Sequence, residues 1–164
     1  ASLMSATGSE NAFALHRELG ELMTNKVGIE RDNASLDEAL AGLADLRERC
    51  SRIDLGEASP WANGSLPYAR QVHDMVVLGQ VIAAGARARD ECRGSHYKPE
   101  FALDIPEGKF PGDPEWDEYM EKWKANNDRW LRSTVATFTP DGPRIDFRPV
   151  DTSVYPPETP RDYR

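Results

Sequence analysis

The chain has 164 residues, a formal net charge of −8 and a sequence pI near 4.9. An acidic chain without a basic patch does not suit the phosphate backbone, so nucleic acid is excluded as an expected partner. With 39% hydrophobic and 29% charged residues, the composition predicts one folded domain, and no apolar run reaches the roughly 18–20 residues needed to cross a membrane.

A first amphipathic helix is predicted over residues 9–27. Ser9, Glu10 and Asn11 are candidate N-caps, and Gly28 is a suitable stop because glycine adopts the left-handed conformation at little steric cost. The apolar residues that recur at helical spacing are Phe13, Leu15, Leu19, Leu22, Met23 and Val27.

A second helix is predicted to begin with a capping box formed by Ser35 and Glu38. Residues 56–64, with Pro60 among them, break the pattern and predict a turn. The core-facing positions of this helix step by four and three residues, with one position taken by Arg47, along Leu36, Leu40, Leu43, Cys50 and Ile53.

A third helix, the longest, is predicted from Ser65 to about Cys92, because Pro67 is tolerated in a first turn. Small side chains in its second half would let another backbone approach closely. This stripe fits either a thin bundle core or a docking surface, and it comprises Gly79, Ala83, Ala84, Gly85 and Ala86.

The chain beyond Pro99 is acidic, since residues 99–128 hold nine acidic residues and three lysines. Such a run is usually a solvated face. Asp113 is predicted to cap a short helix that starts at Pro114 and carries Tyr119, Met120 and Trp123 on one side.

A β-hairpin is predicted after this helix, around the turn at residues 140–143. Its apolar face must rest on the bundle or on a missing domain, because an isolated hairpin is marginal. The residues that alternate on this face are Val135, Thr137, Ile145, Phe147 and Val150, with Trp130 as a further candidate.

Together these elements predict a mainly α fold. Residues 1–98 form an antiparallel, spectrin-repeat-like three-helix bundle. Residues 99–164 add an acidic loop, a short helix, a C-terminal β-hairpin and an extended tail to the same structural domain.

No motif for catalysis or cofactor binding stands in the sequence, which lacks G-x-G-x-x-G after a strand, G-x-x-x-x-G-K-[ST], H-E-x-x-H and G-x-S-x-G. His16, His73 and His96 lie on separate segments, and neither Cys50 nor Cys92 has a second thiol at metal-ligand spacing. We therefore expect no metal site and no catalytic residue. Free thiols are expected in a soluble chain whose N-terminal residues show no export signal.

The densest polar run covers residues 89–98, and Gly94 within it is predicted to end the third helix. Its arginines can donate hydrogen bonds to the free backbone carbonyl groups at the end of the helix and make bidentate bonds to carboxylates. An interdomain joint and a substrate clamp both fit this run, and spacing alone does not separate them.

The same run, RDECRGSHYKP over residues 89–99, resembles the R-x-E-S-R-G-A-H segment of succinate dehydrogenase and fumarate reductase flavoprotein subunits. Five of its seven specified positions match, with Cys92 in place of serine and Ser95 in place of alanine. The resemblance keeps its order along the chain and extends to residues 11–23, 61–63, 69–71, 127–131 and 142–150.

The resemblance implies a C-terminal structural domain of a larger flavoprotein that interconverts succinate and fumarate. FAD and the catalytic residues would belong to the parent protein, with no cofactor in this fragment. Arg89, Glu91, Arg93 and His96 are the expected interdomain docking residues, which would pack on the FAD domain together with the small-residue face of the third helix.

The partners implied are the FAD-binding and capping domains of the same polypeptide and the iron–sulfur subunit of the parent complex. Direct membrane insertion is not expected. The implied location is cytoplasmic, peripheral to the inner face of the membrane through the parent complex.

Three alternatives stay open at this point. L-aspartate oxidases share the central motif, although the continuation Tyr97-Lys98-Pro99 is more like the dehydrogenase family. A stand-alone helical interaction module would use the acidic segment to bind a basic partner. An isolated partial site would use Arg93 and His96 to reach a dicarboxylate.

Overall fold

The computed structural model describes residues 8–56, 59 and 61–160. Three helices pack into a bundle, and a fourth helix and a two-stranded antiparallel hairpin follow, which confirms the predicted fold class. The predicted break at Pro60 lies outside the described residues. The elements are α1 (Ala12–Lys26), α2 (Asn33–Cys50), α3 (Ser65–Ala88), α4 (Pro114–Trp130), β1 (Arg132–Thr137) and β2 (Arg144–Pro149).

Side-chain caps fix the starts of the first two helices. The Asn11 side chain accepts bonds from the backbone amides of Phe13 and Ala14, at 2.9 and 3.1 Å, as predicted for α1. The predicted capping box of α2 is wrong: Asp32 is the N-cap, and its carboxylate accepts from the Ser35 amide at 2.7 Å. An Asp with extended backbone geometry, three residues before Ser35, satisfies the free amide that the box was meant to satisfy.

The core lies between α1, α2 and α3 and is almost wholly aliphatic. Ile53 belongs to it although α2 ends at Cys50, because residues 52–54 bond to the backbone of Glu10 in front of α1. The side chains with no more than 1% exposure include Leu15, Leu36, Leu43, Leu46, Cys50, Ile53, Val72 and Val76.

The small residues of α3 allow close packing inside the bundle. A Cβ at Gly79 would lie 3.0 Å from Leu43 Cδ2 and 3.3 Å from Met23 Sδ, and Ala83 and Ala86 are also buried. The interpretation of these three positions as an outer docking surface is therefore wrong, and the thin-core interpretation is confirmed for them.

The third helix ends at Ala88, four residues before the predicted end near Cys92. Arg89 has an extended backbone (φ −106°, ψ 109°), so the chain leaves the helix there. Gly94 does not end α3. It has φ +60° in a tight turn of residues 93–96, where a left-handed residue is needed.

The fourth helix is longer than the predicted short helix and extends over 17 residues. Asp113 occupies the N-cap position, but its carboxylate accepts from the Phe110 amide at 2.9 Å and makes no cap bond. Tyr119 is buried, and Met120 and Trp123 beside it are half-buried, as the predicted amphipathic face requires.

The hairpin packs on α3 through one face. Thr134 pairs with Phe147, and Ala136 pairs with Ile145, so these four side chains share that face. Thr134 Cγ2 lies 3.6 Å from the position of a Cβ on Gly85, which places this face against the last turns of α3.

The predicted composition of that face is partly wrong. Val135 pairs with Asp146 and Thr137 with Arg144, so Val135 and Thr137 lie on the opposite face from Ile145 and Phe147. Trp130 is the last residue of α4, and Val150 follows the end of β2. In an antiparallel pair the register decides which residues share a face, and alternation within each strand does not supply it.

We predict that Gly79→Val destabilises the chain by about 1–3 kcal/mol, because the added methyl groups meet side chains of α1 and α2 in a filled core. The matched control is Gly20→Ala, where the new Cβ has no neighbour within 4 Å. This control should stabilise α1 by about 0.5–1 kcal/mol through helix propensity. Urea unfolding of both variants measures the difference, and equal effects would contradict the packing assignment.

Candidate interdomain joint

The carboxylate of Glu91 is the centre of the site, and its side chain is fully buried. It accepts from Arg89 Nε at 3.0 Å and from the Arg89 terminal nitrogen, and Arg93 Nε lies 3.0 Å from its second oxygen. Two guanidinium groups thus share one buried anion, and the attraction offsets the desolvation of all three groups.

Arg89 connects α3 to the C-terminal part of the chain. Its terminal nitrogens donate to the carbonyls of Trp130 and Arg132, at 2.6 and 2.8 Å, and to Thr134 Oγ1 at 2.9 Å. The guanidinium also lies 5.9 Å from the ring centroid of Phe147. One side chain therefore fixes the end of α4 and both strands to the end of α3.

Arg93 makes the second connection, to the body of α4. It donates to Asn127 Oδ1 at 2.9 Å, and the neighbouring Asn126 amide lies 3.5 Å from Glu91. The Arg93 side chain is 38% exposed, compared with 14% for Arg89, so it is the guanidinium of the cluster that reaches the surface.

His96 connects the cluster to the loop between α1 and α2. Its Nε2 lies 2.9 Å from the Arg89 carbonyl and therefore donates, so Nδ1 accepts the bond of 2.8 Å from Arg31. These partners select a neutral ring. Burial lowers the pKa of His96 more than the bond to the Arg89 carbonyl raises it, and the charges of Arg31, Lys98 and Arg89 act in the same direction as burial.

Lys98 is a fully buried cation with its own carboxylate. Its Nζ donates to Asn33 Oδ1 at 2.7 Å and to Asp90 Oδ1 at 3.0 Å. Burial of Asp90 opposes ionisation, but the bonds from Lys98 and Asn33 outweigh it and lower the pKa of that carboxyl. This pair fixes the start of α2 to residues 90–98.

The structure brings together all four residues that the sequence singled out. Sequence reasoning missed distant partners of these residues, among them Arg31 at His96 and Asn127 at Arg93. It also missed Asn33, which bonds to Lys98 and Asp90. A signal existed only for Asn127, which stands in a segment that carried the family resemblance. Arg31 and Asn33 lie near the start of α2, 65 residues before the groups they contact.

The cysteines do not form reactive or paired groups in this site. Cys50 and Cys92 are both free. Burial raises the pKa of both thiols, and Cys92 donates to the Lys98 carbonyl at 3.1 Å. Within the described part of the chain, no cluster of three or more His, Cys, Asp or Glu side chains suits a metal ion.

The cavity beside α4 does not suit a dinucleotide cofactor. It has a volume of about 950 Å³ and lies between α4 and residues 155–160. Asp104 and Glu158 line it with Arg93, so a diphosphate there would face two carboxylates and one cation. No helix in the described ranges is both long and apolar enough to span a bilayer.

A family model described as "Fumarate reductase flavoprotein C-term" matches residues 16–163. The chain belongs to this family. The match begins within α1 and covers α2, α3, the Glu91-centred cluster (Arg89, Glu91, Arg93 and His96), α4 and the hairpin. These elements form the C-terminal helical domain of succinate dehydrogenase and fumarate reductase flavoprotein subunits.

Curated members of the family are much longer than this chain. It is 34% identical to the succinate dehydrogenase flavoprotein subunit of Bacillus subtilis over 99% of its own length and 24% of that protein. It is 31% identical to the fumarate reductase flavoprotein subunit of Haemophilus influenzae over 87% of its length and 20% of that protein. The chain thus spans about a quarter or less of these two flavoprotein subunits.

Solved structures of the family show the same fold. The FrdA subunit of an E. coli quinol fumarate reductase variant superposes with a TM-score of 0.74 at 26% identity, over 96% of this chain and 24% of that one. The Mycobacterium smegmatis Sdh1 complex gives a TM-score of 0.55 at 30% identity, over 59% of this chain and 16% of that one.

We predict that Glu91→Ala costs about 3–5 kcal/mol of stability, because it leaves the Arg89 guanidinium buried without its carboxylate. The control is Glu118→Ala, which removes an exposed helical pair with Lys122 and should cost at most about 0.5 kcal/mol. Chemical denaturation measures both. A cost for Glu91→Ala no greater than that of the control would contradict the role of this carboxylate.

We predict that stability falls as the pH decreases below 6.5, the ordinary pKa of a histidine side chain. Since the folded pKa of His96 is lower, the unfolded chain binds more protons in this window and unfolding is favoured. The pKa values of the Glu10 and Asp90 carboxyls are also lowered, but these groups reduce stability only when the pH falls below their ordinary pKa values of 4.5 and 3.8.

The measurement is the free energy of unfolding between pH 7.5 and 5.5. His96→Gln should reduce the change in the free energy of unfolding per pH unit. His73→Gln, which changes an exposed histidine, should leave this pH dependence as in the parent chain. An unchanged slope in His96→Gln would show that another group titrates.

Proposed function

We propose that this chain is the C-terminal structural domain of a larger flavoprotein that interconverts succinate and fumarate. The observation that carries the proposal is the family match over residues 16–163, in a chain that spans about a quarter of the Bacillus subtilis flavoprotein subunit. In this proposal, the rest of the polypeptide interconverts succinate and fumarate, and this domain stabilises the structure of that catalytic part.

The Glu91-centred cluster supports an interdomain role for Arg89, Glu91, Arg93 and His96. Three of them direct their bonds into the domain and fix the bundle, α4 and hairpin relative to one another. Arg93 is also exposed enough to meet a neighbour. We infer that this cluster holds the domain surface in a fixed shape against which the FAD domain packs, and that residues 1–98 and 99–164 act as one structural domain.

The cofactor, partners and location of the parent protein belong to the same proposal. FAD would be held by the upstream part of the polypeptide, because the cavity beside α4 presents Asp104 and Glu158 to a diphosphate. The FAD-binding and capping domains would be the direct partners, and the iron–sulfur subunit would join them in the parent complex. The complex would lie at the cytoplasmic, inner face of the membrane.

The test is to add the separately produced FAD-containing remainder of the polypeptide to the 164-residue chain. At a concentration about 100 times the dissociation constant, binding should add about 2.7 kcal/mol to the stability of the chain. Differential scanning calorimetry would detect the increase, with bovine serum albumin as the control protein.

Three results would contradict the proposal. The first is an unchanged melting temperature together with salt-sensitive capture of an unrelated basic protein, which is expected of an acidic interaction module. The second is turnover of a dicarboxylate, or retention of flavin, by the purified chain alone. An upstream reading frame without a nucleotide-binding G-x-G-x-x-G turn would also count against it.

A further inference from the structure

A notch opens between α3 and the hairpin at the edge of the Glu91-centred cluster, whose residues Arg89 and His96 are part of its lining. Its volume is about 340 Å³. Ile82 and Gly85 of α3 form one wall, Ala136 and Ile145 of the hairpin form the other, and Arg31 lies at the polar end with His96. We call this space the α3–hairpin notch.

The notch contains a cation whose charge has no carboxylate partner. Arg31 Nε donates to the Gly28 carbonyl and its Nη1 to neutral His96, at 2.5 and 2.8 Å. Within residues 8–56, 59 and 61–160, Arg31 forms no ion pair, whereas Arg89 in the same lining is paired with Glu91. Burial lowers the pKa of Arg31, and no carboxylate acts against this effect.

The apolar wall continues along α3 beyond the notch. Ile82 is 51% exposed, and Leu78 and Met75, one and two turns earlier, are 61% and 38% exposed. Spacings of four and three residues place the three side chains on one face of the helix. A stripe of this length suits a polypeptide segment better than a small anion, which would use only the Arg31 end.

The missing polypeptide is the occupant that these features favour. The Bacillus subtilis relative is about four times as long as this chain. The family model describes the C-terminal part of the flavoprotein, so the residues that this chain lacks precede it in the polypeptide. A partly buried guanidinium without a carboxylate is complementary to an acidic side chain.

We propose that the α3–hairpin notch receives a segment of the upstream polypeptide whose apolar side chains cover Ile82, Leu78 and Met75 and whose Asp or Glu side chain pairs with Arg31. This proposal rests on the proposed function and adds to it the docking face and its anchor. Arg31 acts here as a positioning residue for domain packing, with no part in catalysis.

The test uses the full-length flavoprotein with a photo-crosslinking phenylalanine analogue in place of Ile82. Irradiation followed by peptide mass spectrometry should identify an upstream peptide that contains Asp or Glu. Arg31→Met should cause a several-fold loss of this product. The control is the same analogue at Glu21, an exposed position of α1, which should not label that peptide.

A matched pair of substitutions tests the charge without removing Arg31. Ala136→Glu places a carboxylate of the same chain in the notch and should also reduce the product several-fold. Ala136→Gln adds nearly the same volume without a charge, and this variant should retain most of the cross-linked product. Since Ala136 is exposed, neither substitution disturbs a buried position.

The outcomes separate this inference from the proposed function. An upstream cross-link that Arg31→Met and Ala136→Glu leave unchanged overturns the carboxylate anchor but keeps interdomain packing. A cross-link to a second copy or another subunit overturns the proposed occupant. The absence of any cross-linked product overturns the notch as a docking site. The proposed function is overturned by different results: a remainder of the polypeptide that does not exist or does not bind, or turnover of a dicarboxylate or retention of flavin by the chain alone.

Discussion

The structure depends on one buried carboxylate between two guanidinium groups. Glu91 would be costly to bury alone, because an ionised group loses its hydration in a protein interior. Arg89 and Arg93 replace that hydration with directed bonds, and each then bonds onward, to the hairpin and to α4. The electrostatic requirement of one side chain thus determines how three elements pack.

This interaction explains why the C-terminal part of the chain has a defined position. A two-stranded hairpin is marginal in water, and the fourth helix buries few side chains of its own. The hairpin gains a packing face on α3 and backbone bonds from Arg89, while α4 is bound through Asn127. Both elements therefore depend on the segment that follows α3 more than on the core of the bundle.

Local signals predicted the helices but not their ends or their partners. Apolar periodicity is a property of neighbouring residues, so α1, α2 and α3 could be read directly from the sequence. Ser35 was a plausible cap, but its own backbone amide donates to Asp32, which takes the N-cap position instead. Arg89, where the chain leaves α3, bonds to residues more than 40 positions away, and the shared hairpin face depends on register, so neither is a local property.

The site shows the same division between local and distant information. The polar run at residues 89–96 and its family resemblance singled out Arg89, Glu91, Arg93 and His96, and these four side chains lie together in the structure. The run and the resemblance did not predict that most of their bonds stay inside the domain, because Arg31 and Asn127 are 65 and 34 residues from their partners. A domain that satisfies its own polar groups in this way has few conformations left to lose on association. Pre-ordered surfaces bind with a smaller entropic cost, so the internal bonds of the cluster and a supporting role in a longer polypeptide are consistent with each other.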